Sequence, residues 1–260
     1  MKYNHYFRFN PQKEILVALG AFTACVLANT IANLFTGNLF YLFYQGMFGL
    51  GICIFFPIWY IGKIKKEPLE SIGLTFKGWP KAIFIAVLLL ALSIPGQLMN
   101  KHILFPSAGK FLFICIALIM STLFEELFFR GFLQTRFEDA LGIIPAIILS
   151  GITFALYHLG YPKFRSMELM ITMFFVGTYF AIAFRLTKNV ITSYVVNLPH
   201  AIVIYILRPQ IFPDFNQRVA LVSFSVIVIS ITMIILAIIK IKHSAIPVSH
   251  QCTPGSGGLV

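Results

Sequence analysis

The chain is a succession of apolar runs, each about 20 residues long, and nothing else in it restricts the possible folds so strongly. Eight runs stand out, at about 15–36, 39–62, 82–99, 111–133, 143–159, 168–184, 189–207 and 219–239. A helix of that length crosses the hydrocarbon core of a bilayer. Inside lipid every backbone donor and acceptor needs a partner within the protein, so only helices and closed barrels can span. The two-residue alternation of barrel strands is absent, and each run is therefore expected to be a helix. With 58% of the residues hydrophobic and 11% charged, little sequence is left for a water-soluble module. The expected fold is all-α, a polytopic transmembrane helical bundle of about eight spans. No long polar insertion and no internal repeat interrupts it, so residues 1–242 read as a single integral membrane domain. Residues 243–260, Gly-rich and polar toward the end, read as a flexible tail, in part an expression scar.

Orientation follows from lysine and arginine, because positively charged short loops stay in the cytoplasm. An even span number puts both termini on one side. With the N-terminus inside, the cytoplasmic segments carry fourteen of the 20 basic residues, Arg130 counted among them, and the opposite side carries six. Both termini are thus expected to be cytoplasmic, in the cell membrane of a bacterium. The net charge of +11 reads as topology, and no basic segment is long enough to form a nucleic-acid-binding module. The apolar run from Ile15 is too long for a secretory signal and lacks a small-residue cleavage site. Cys25, Cys53 and Cys115 fall within runs and Cys252 in the tail, with no ligand-like spacing, so they read as packing residues without disulfides. His102, His243 and His250 lie in polar segments and receive no role.

Ionisable groups within such runs are expensive, about 2.5–3.5 kcal/mol each at mid-bilayer, and normally mark a working site. The fourth run holds Glu125, Glu126 and Arg130. Glu126 and Arg130 are four apart and can pair on one helix face, in a stripe with Thr122 and Gln134. The fifth run contributes His158, four residues after Phe154. The seventh contributes Ser193, Asn197 and His200, whose spacing puts them on a single stripe. A polar turn at about Glu138–Gly142 is expected to join the fourth and fifth runs as a hairpin. At about 1.5 Å per residue, Glu125 and His158 then lie at similar depth, with Asn197 and His200 somewhat shallower. One polar cluster drawn from three helices is geometrically allowed.

These residues resemble the CPBP intramembrane proteases, a family that includes type II CAAX-prenyl endopeptidases and proteins of bacteriocin processing, bacteriocin immunity and abortive infection. The family pattern is E-E-x-x-x-R, then F-x-x-x-H, then a Gly-containing span, then H-x-x-x-N or a close variant. Glu125, Glu126 and Arg130 match the first element, Phe154 and His158 the second, and Gly177 after Phe175 and Val176 the third. The order and spacing agree over about residues 110–205. The last element departs: Asn197 stands where the histidine is expected and His200 near the expected asparagine. The two residue types survive in reversed order on one helical face, with Pro199 removing a backbone donor beside them.

The chemistry suited to such a cluster is peptide hydrolysis, in which water is deprotonated, aimed at a carbonyl, and the oxyanion stabilised. Adjacent carboxylates resist sharing negative charge, and Arg130 settles it on Glu126, which leaves Glu125 as the general base. His158 can orient the water or protonate the leaving amine. The resemblance implies that the span of Asn197 and His200 supplies oxyanion donors. The expected activity is an intramembrane endopeptidase acting on a membrane-associated peptide or protein, with no cofactor. A two-His, one-carboxylate zinc site is the alternative, although no H-E-x-x-H pair is present. Other readings keep the residues structural. Glu126 with Arg130 then serves as a structural ion pair that holds helices together, His158, Asn197 and His200 as hydrogen-bonding glue, and the chain as a catalytically silent scaffold or immunity factor. A transporter is a further reading, without the internal repeat it calls for. Phe124, Phe128, Phe129 and Phe132 are expected to face lipid or neighbouring helices, and Asn29 and Asn33 to pack. Substrate identity and oligomeric state are not legible.

Overall fold

The structure, a computed structural model, describes residues 6–9, 13–35, 39–40, 42–98, 107–161 and 165–206. Among the described residues all regular structure is helical, with no strand. The long helices are α1, Lys13–Ala32; α2, Leu42–Lys65; α3, Trp79–Leu98; α4, continuous through Ala108–Glu125, Glu126–Gln134 and Thr135–Leu141; α5, Ile143–His158; α6, Met167–Thr187; and α7, Val190–Ile206. Among the described residues five helices are long and apolar enough to cross a membrane, and Ile143–His158 and Val190–Val203 are shorter apolar helices. The run at 219–239 and the tail at 243–260 lie outside the described residues, as do Cys252, His102, His243 and His250.

Helix α4 is the axis of the bundle. Over Glu126–Gln134 it widens to π geometry, a departure that tends to accompany functional sites. Every residue from 126 to 137 is buried, because this stretch packs against α1, α2, α5, α6 and α7 at once. Phe124, Phe128, Phe129 and Phe132 are all fully buried; of the two expectations for them, contact with neighbouring helices is the correct one. Large apolar side chains such as Leu16, Phe55, Phe84, Leu112 and Ile116 are instead exposed on the outside of the bundle. That inversion suits a solvent of lipid tails.

The expected polar turn at Glu138–Gly142 is corrected to a single residue. Helix α4 runs on through Leu141, and Gly142 alone breaks the chain at φ +91, a left-handed value that glycine adopts without steric penalty. The acidic residues there stay helical because their charges are met sideways. Glu138 pairs with Lys188 and, at 3.6 Å, with Arg185, and it accepts from Gln134. Related pairs gather nearby: Lys65 with Glu14 at 2.5 Å, Arg136 with Glu67 at 3.6 Å, and Arg8 with Asp139 at 3.7 Å. The start of α1 and the ends of α2 and α4 thus share one charged end of the bundle. Arg130 does not belong to that end. It is wholly buried beside Glu126, so the set expected to be cytoplasmic loses one charge and stands at thirteen against six.

The α6–α7 connection is equally tight. Lys188 closes α6 in the left-handed conformation at φ 54, and Asn189 caps α7 by accepting from the Ile191 amide at 2.8 Å. Helices α5 and α6 form the most extensive pairing, which glycine makes possible. A Cβ on Gly177 would come 2.8 Å from the Phe154 Cβ, and one on Gly151 would meet Thr178 Oγ1 and the Phe174 carbonyl.

Candidate active site

Glu125 and Glu126 lie at mid-length of α4, where the widened segment begins. Consecutive residues point about 100° apart on a helix, and here that difference separates two environments. Glu126 is wholly buried, whereas Glu125 is partly exposed. Arg130 Nε faces Glu126 Oε2 at 3.5 Å, one turn along. Its Nη2 donates to the Gly177 carbonyl at 3.1 Å, and its guanidinium carbon sits 4.5 Å from the Phe154 ring centre and 5.4 Å from that of Phe180. Among the described residues Nη1 has no hydrogen-bond acceptor, so ring faces take part of the role that water plays at a surface. Gln134 repeats the pattern one turn on, donating to the Ala181 carbonyl at 3.0 Å. Arg130 and Gln134 therefore stitch α4 to α6 along the stripe read from their spacing, and Glu126 joins it through Arg130.

Asn197 reaches both carboxylates from α7. Its amide donates to Glu126 Oε1 at 2.8 Å and to Glu125 Oε2 at 3.3 Å. A carboxamide has two donor hydrogens, and both are directed at the acidic pair. The other oxygen of Glu125 is met from α5, where the Tyr157 hydroxyl donates to Oε1 at 2.9 Å. Glu125 is thus held by groups from two other helices, while its neighbour carries the ion pair.

His158 directly follows Tyr157. Its Nδ1 lies 2.8 Å from the Phe154 carbonyl, and a carbonyl only accepts, so Nδ1 carries the hydrogen and a neutral ring has its lone pair on Nε2. The ring packs on Phe154 at 4.6 Å and Tyr157 at 4.7 Å between centres. Phe154 consequently contacts both His158 and Arg130. His200 has the same tautomer, with Nδ1 2.9 Å from the Val196 carbonyl. It packs on Phe180 at 5.8 Å and Tyr179 at 6.2 Å. All six candidates enter one region, by two different routes. Glu125, Glu126, Arg130 and Asn197 are joined by direct polar contacts, and the two histidines are attached through the Phe154 and Phe180 rings that flank Arg130. Ser193, the third member of the α7 stripe, bonds within its helix to the Val190 carbonyl.

The pattern of the sequence does not single out Tyr157. Hydropathy counts a tyrosine ring as apolar, so its hydroxyl leaves no trace in a run such as 143–159. The usable signal was the four-residue interval from Tyr157 to Tyr161. Asn29, expected only to pack, places this region as well: its Nδ2 donates to the Tyr157 carbonyl at 3.1 Å, fastening α1 to the end of α5. Among the described residues no three His, Cys, Asp or Glu side chains are grouped closely enough to hold a metal ion. Cys25, Cys53 and Cys115 are free thiols.

Residues 107–203, which take in α4 to α6 and nearly all of α7, match the family model described as type II CAAX prenyl endopeptidase Rce1-like. This segment is similar to an Rce1-like domain. The Rce1-like match agrees with the resemblance read from Glu125, Glu126, Arg130, Phe154 and His158, and it supports intramembrane protease activity for a multi-pass membrane protein whose substrates are membrane-associated. No curated protein and no solved structure matches the chain.

Proposed function

We propose that the chain is an intramembrane endopeptidase in which Glu125 deprotonates the attacking water. The observation that carries this reading is the division of labour between the two carboxylates. Glu126 is buried and committed to Arg130 and Asn197, whereas Glu125 is partly exposed and held by neutral donors on α5 and α7. A base must be reached by its water. His158, with its lone pair on Nε2, accepts from that water to orient it, and relays the proton taken by Glu125 to the leaving amine. Once Glu125 has taken a proton, its hold on the longer of the two Asn197 hydrogen bonds weakens. That amide hydrogen then turns to the oxyanion, a donor contact typically worth about 10²–10³ in rate. His200 stands one turn from Asn197 and adds a donor only as imidazolium, because its Nδ1 hydrogen already serves Val196. Glu126 and Arg130 position the pair.

In the same reading the whole chain has about eight spans, with both termini cytoplasmic in a bacterial plasma membrane. Residues 1–242 form one domain ahead of a flexible tail. The reaction runs without a cofactor, and elemental analysis of the purified protein checks for zinc. A second reading is favoured by the reversed order of Asn197 and His200: a silent membrane scaffold or bacteriocin-immunity factor that binds a peptide through the same site. Purified Glu125→Gln and His158→Ala proteins separate the two. Both are expected to insert and fold while losing cleavage of membrane peptides by about 10²-fold or more. Undiminished cleavage in both would overturn the catalytic assignment, and biological activity without any cleavage would favour the scaffold.

A further inference from the structure

Beside Glu125 stands a group of phenols to which the mechanism above gives no task. Besides its bond to Glu125 Oε1 at 2.9 Å, the Tyr157 hydroxyl lies 2.8 Å from that of Tyr161 and 3.3 Å from that of Tyr44. Tyr161 in turn donates to the Tyr44 oxygen at 2.8 Å. The three oxygens close a ring, with the carboxylate attached at the Tyr157 corner. The arrangement is firmly built. Tyr157 is fully buried, Phe48 stacks on it at 5.6 Å, and Tyr44 stacks on Phe48 at 5.1 Å. Residues from α1, α2 and the end of α5 converge to hold it.

Counting hydrogens shows what such a ring can do. A neutral phenol brings one donor hydrogen and two acceptor lone pairs. Three phenols therefore bring three hydrogens to four oxygen–oxygen contacts, those within the ring and the one to Glu125. While Glu125 is ionised, one contact has no hydrogen between its oxygens. A proton on Oε1 completes the set. Glu125 then donates to Tyr157, Tyr157 to Tyr161, Tyr161 to Tyr44, and Tyr44 back to Tyr157, with no oxygen exceeding its lone pairs.

We propose that the Tyr44–Tyr157–Tyr161 ring is a proton-holding annex of Glu125, which stabilises the protonated carboxyl formed when water is deprotonated. This rests on the reading of Glu125 as the base. The balance is simple. One water O–H bond breaks, its proton moves to Glu125 and the hydroxide forms a bond to the carbonyl carbon. The phenolic hydrogens only rotate, and the proton later passes to the amide nitrogen as the C–N bond breaks, leaving with the amine. Tyr157 is a positioning residue in direct contact with the base, and Tyr44 and Tyr161 act through it. Buried hydroxyl networks of this kind strengthen cooperatively in a low-dielectric setting. The charged neighbours of Glu125, Glu126 and Arg130, lie on its own helix. The groups near it from other helices are the phenols, the Cys53 thiol, the Asn197 amide and, next to Tyr157, His158.

The test needs no substrate. Infrared difference spectra of the full-length protein in lipid vesicles, recorded on acidification, are compared among variants. Wild type is expected to show a carboxyl stretch that vanishes in Glu125→Gln, accompanied by changes in the tyrosine C–O bands. In Tyr157→Phe the carboxyl stretch moves to higher frequency. In Tyr161→Phe and Tyr44→Phe the Glu125 stretch persists while the accompanying tyrosine changes shrink. Tyr194→Phe, which removes a hydroxyl bonded elsewhere to the Ile119 carbonyl, leaves all of these unchanged. A carboxyl stretch unmoved in Tyr157→Phe, or tyrosine bands unaltered in Tyr161→Phe, would overturn the proposal. Full cleavage by Glu125→Gln would overturn the reading of Glu125 as the base instead, and the spectra would still decide whether the ring couples to the carboxyl.

Discussion

At the scale of single residues the account turns on one charge being satisfied so that another can work. Arg130 and Glu126 are both fully buried, and replacing Arg130 by methionine leaves Glu126 without its counter-ion. Breaking a buried pair in this way costs about 3–5 kcal/mol, so Arg130→Met is expected to lower the melting temperature in detergent sharply. Adding Glu126→Gln removes the orphaned charge and is expected to recover much of the loss, whereas equal melting of the single and double variants would show that the pair does not hold the bundle. Asn197→Leu, which fills similar space but donates to neither carboxylate, is expected to lower cleavage by about 10²-fold, measured on the purified protein. The Glu126–Arg130 contact was legible because a charge in an apolar run demands a partner and a four-residue spacing supplies one. The clamp by Asn197 was only half legible. Its face could be read, but the acidic destination of its hydrogens depends on how α7 is placed against α4. Tyr157 escaped because its polar atom sits at the tip of a ring that the apolar pattern counts as greasy.

At the scale of elements, close approach of α5 and α6 brings Phe154 against Arg130 and lets the Gly177 carbonyl receive the guanidinium. Gly177→Ala would press a methyl group onto the Phe154 Cβ, and overpacking of this kind costs about 1–3 kcal/mol. Loss of activity larger than the loss of thermal stability is the expected outcome, because the displaced Phe154 also carries His158. A Gly177→Ala protein with wild-type melting and activity would contradict the packing described. Among the described residues helix starts were readable from hydropathy to within a few residues. The ends were less so. Charge patterns suggested a five-residue turn before α5, but lateral pairing of Glu138 with Lys188 and Arg185 keeps that stretch helical and leaves Gly142 as the only break. A sequence shows that a charge needs a partner without showing whether water or another helix provides it.

At the scale of the molecule, ion pairs gathered at one end and exposed apolar side chains around the outside give the bundle the surface of a membrane protein with one charged end. If that charged end is cytoplasmic, a cysteine placed at Lys66, which is exposed beside it, is expected to react with a membrane-impermeant maleimide only after spheroplasts are opened. Labelling of intact spheroplasts would reverse the topology. The match over residues 107–203 coincides with the helices that carry all six candidate residues. Helices α1 and α2 add the contacts of Asn29 and Tyr44 from outside it. The most direct measurement of the central claim is a mass-spectrometric comparison of membrane peptides from cells carrying wild-type protein and cells carrying Glu125→Gln. The account predicts cleavage products present with the wild type and missing with the variant at equal protein level, and identical peptide sets from the two would contradict it.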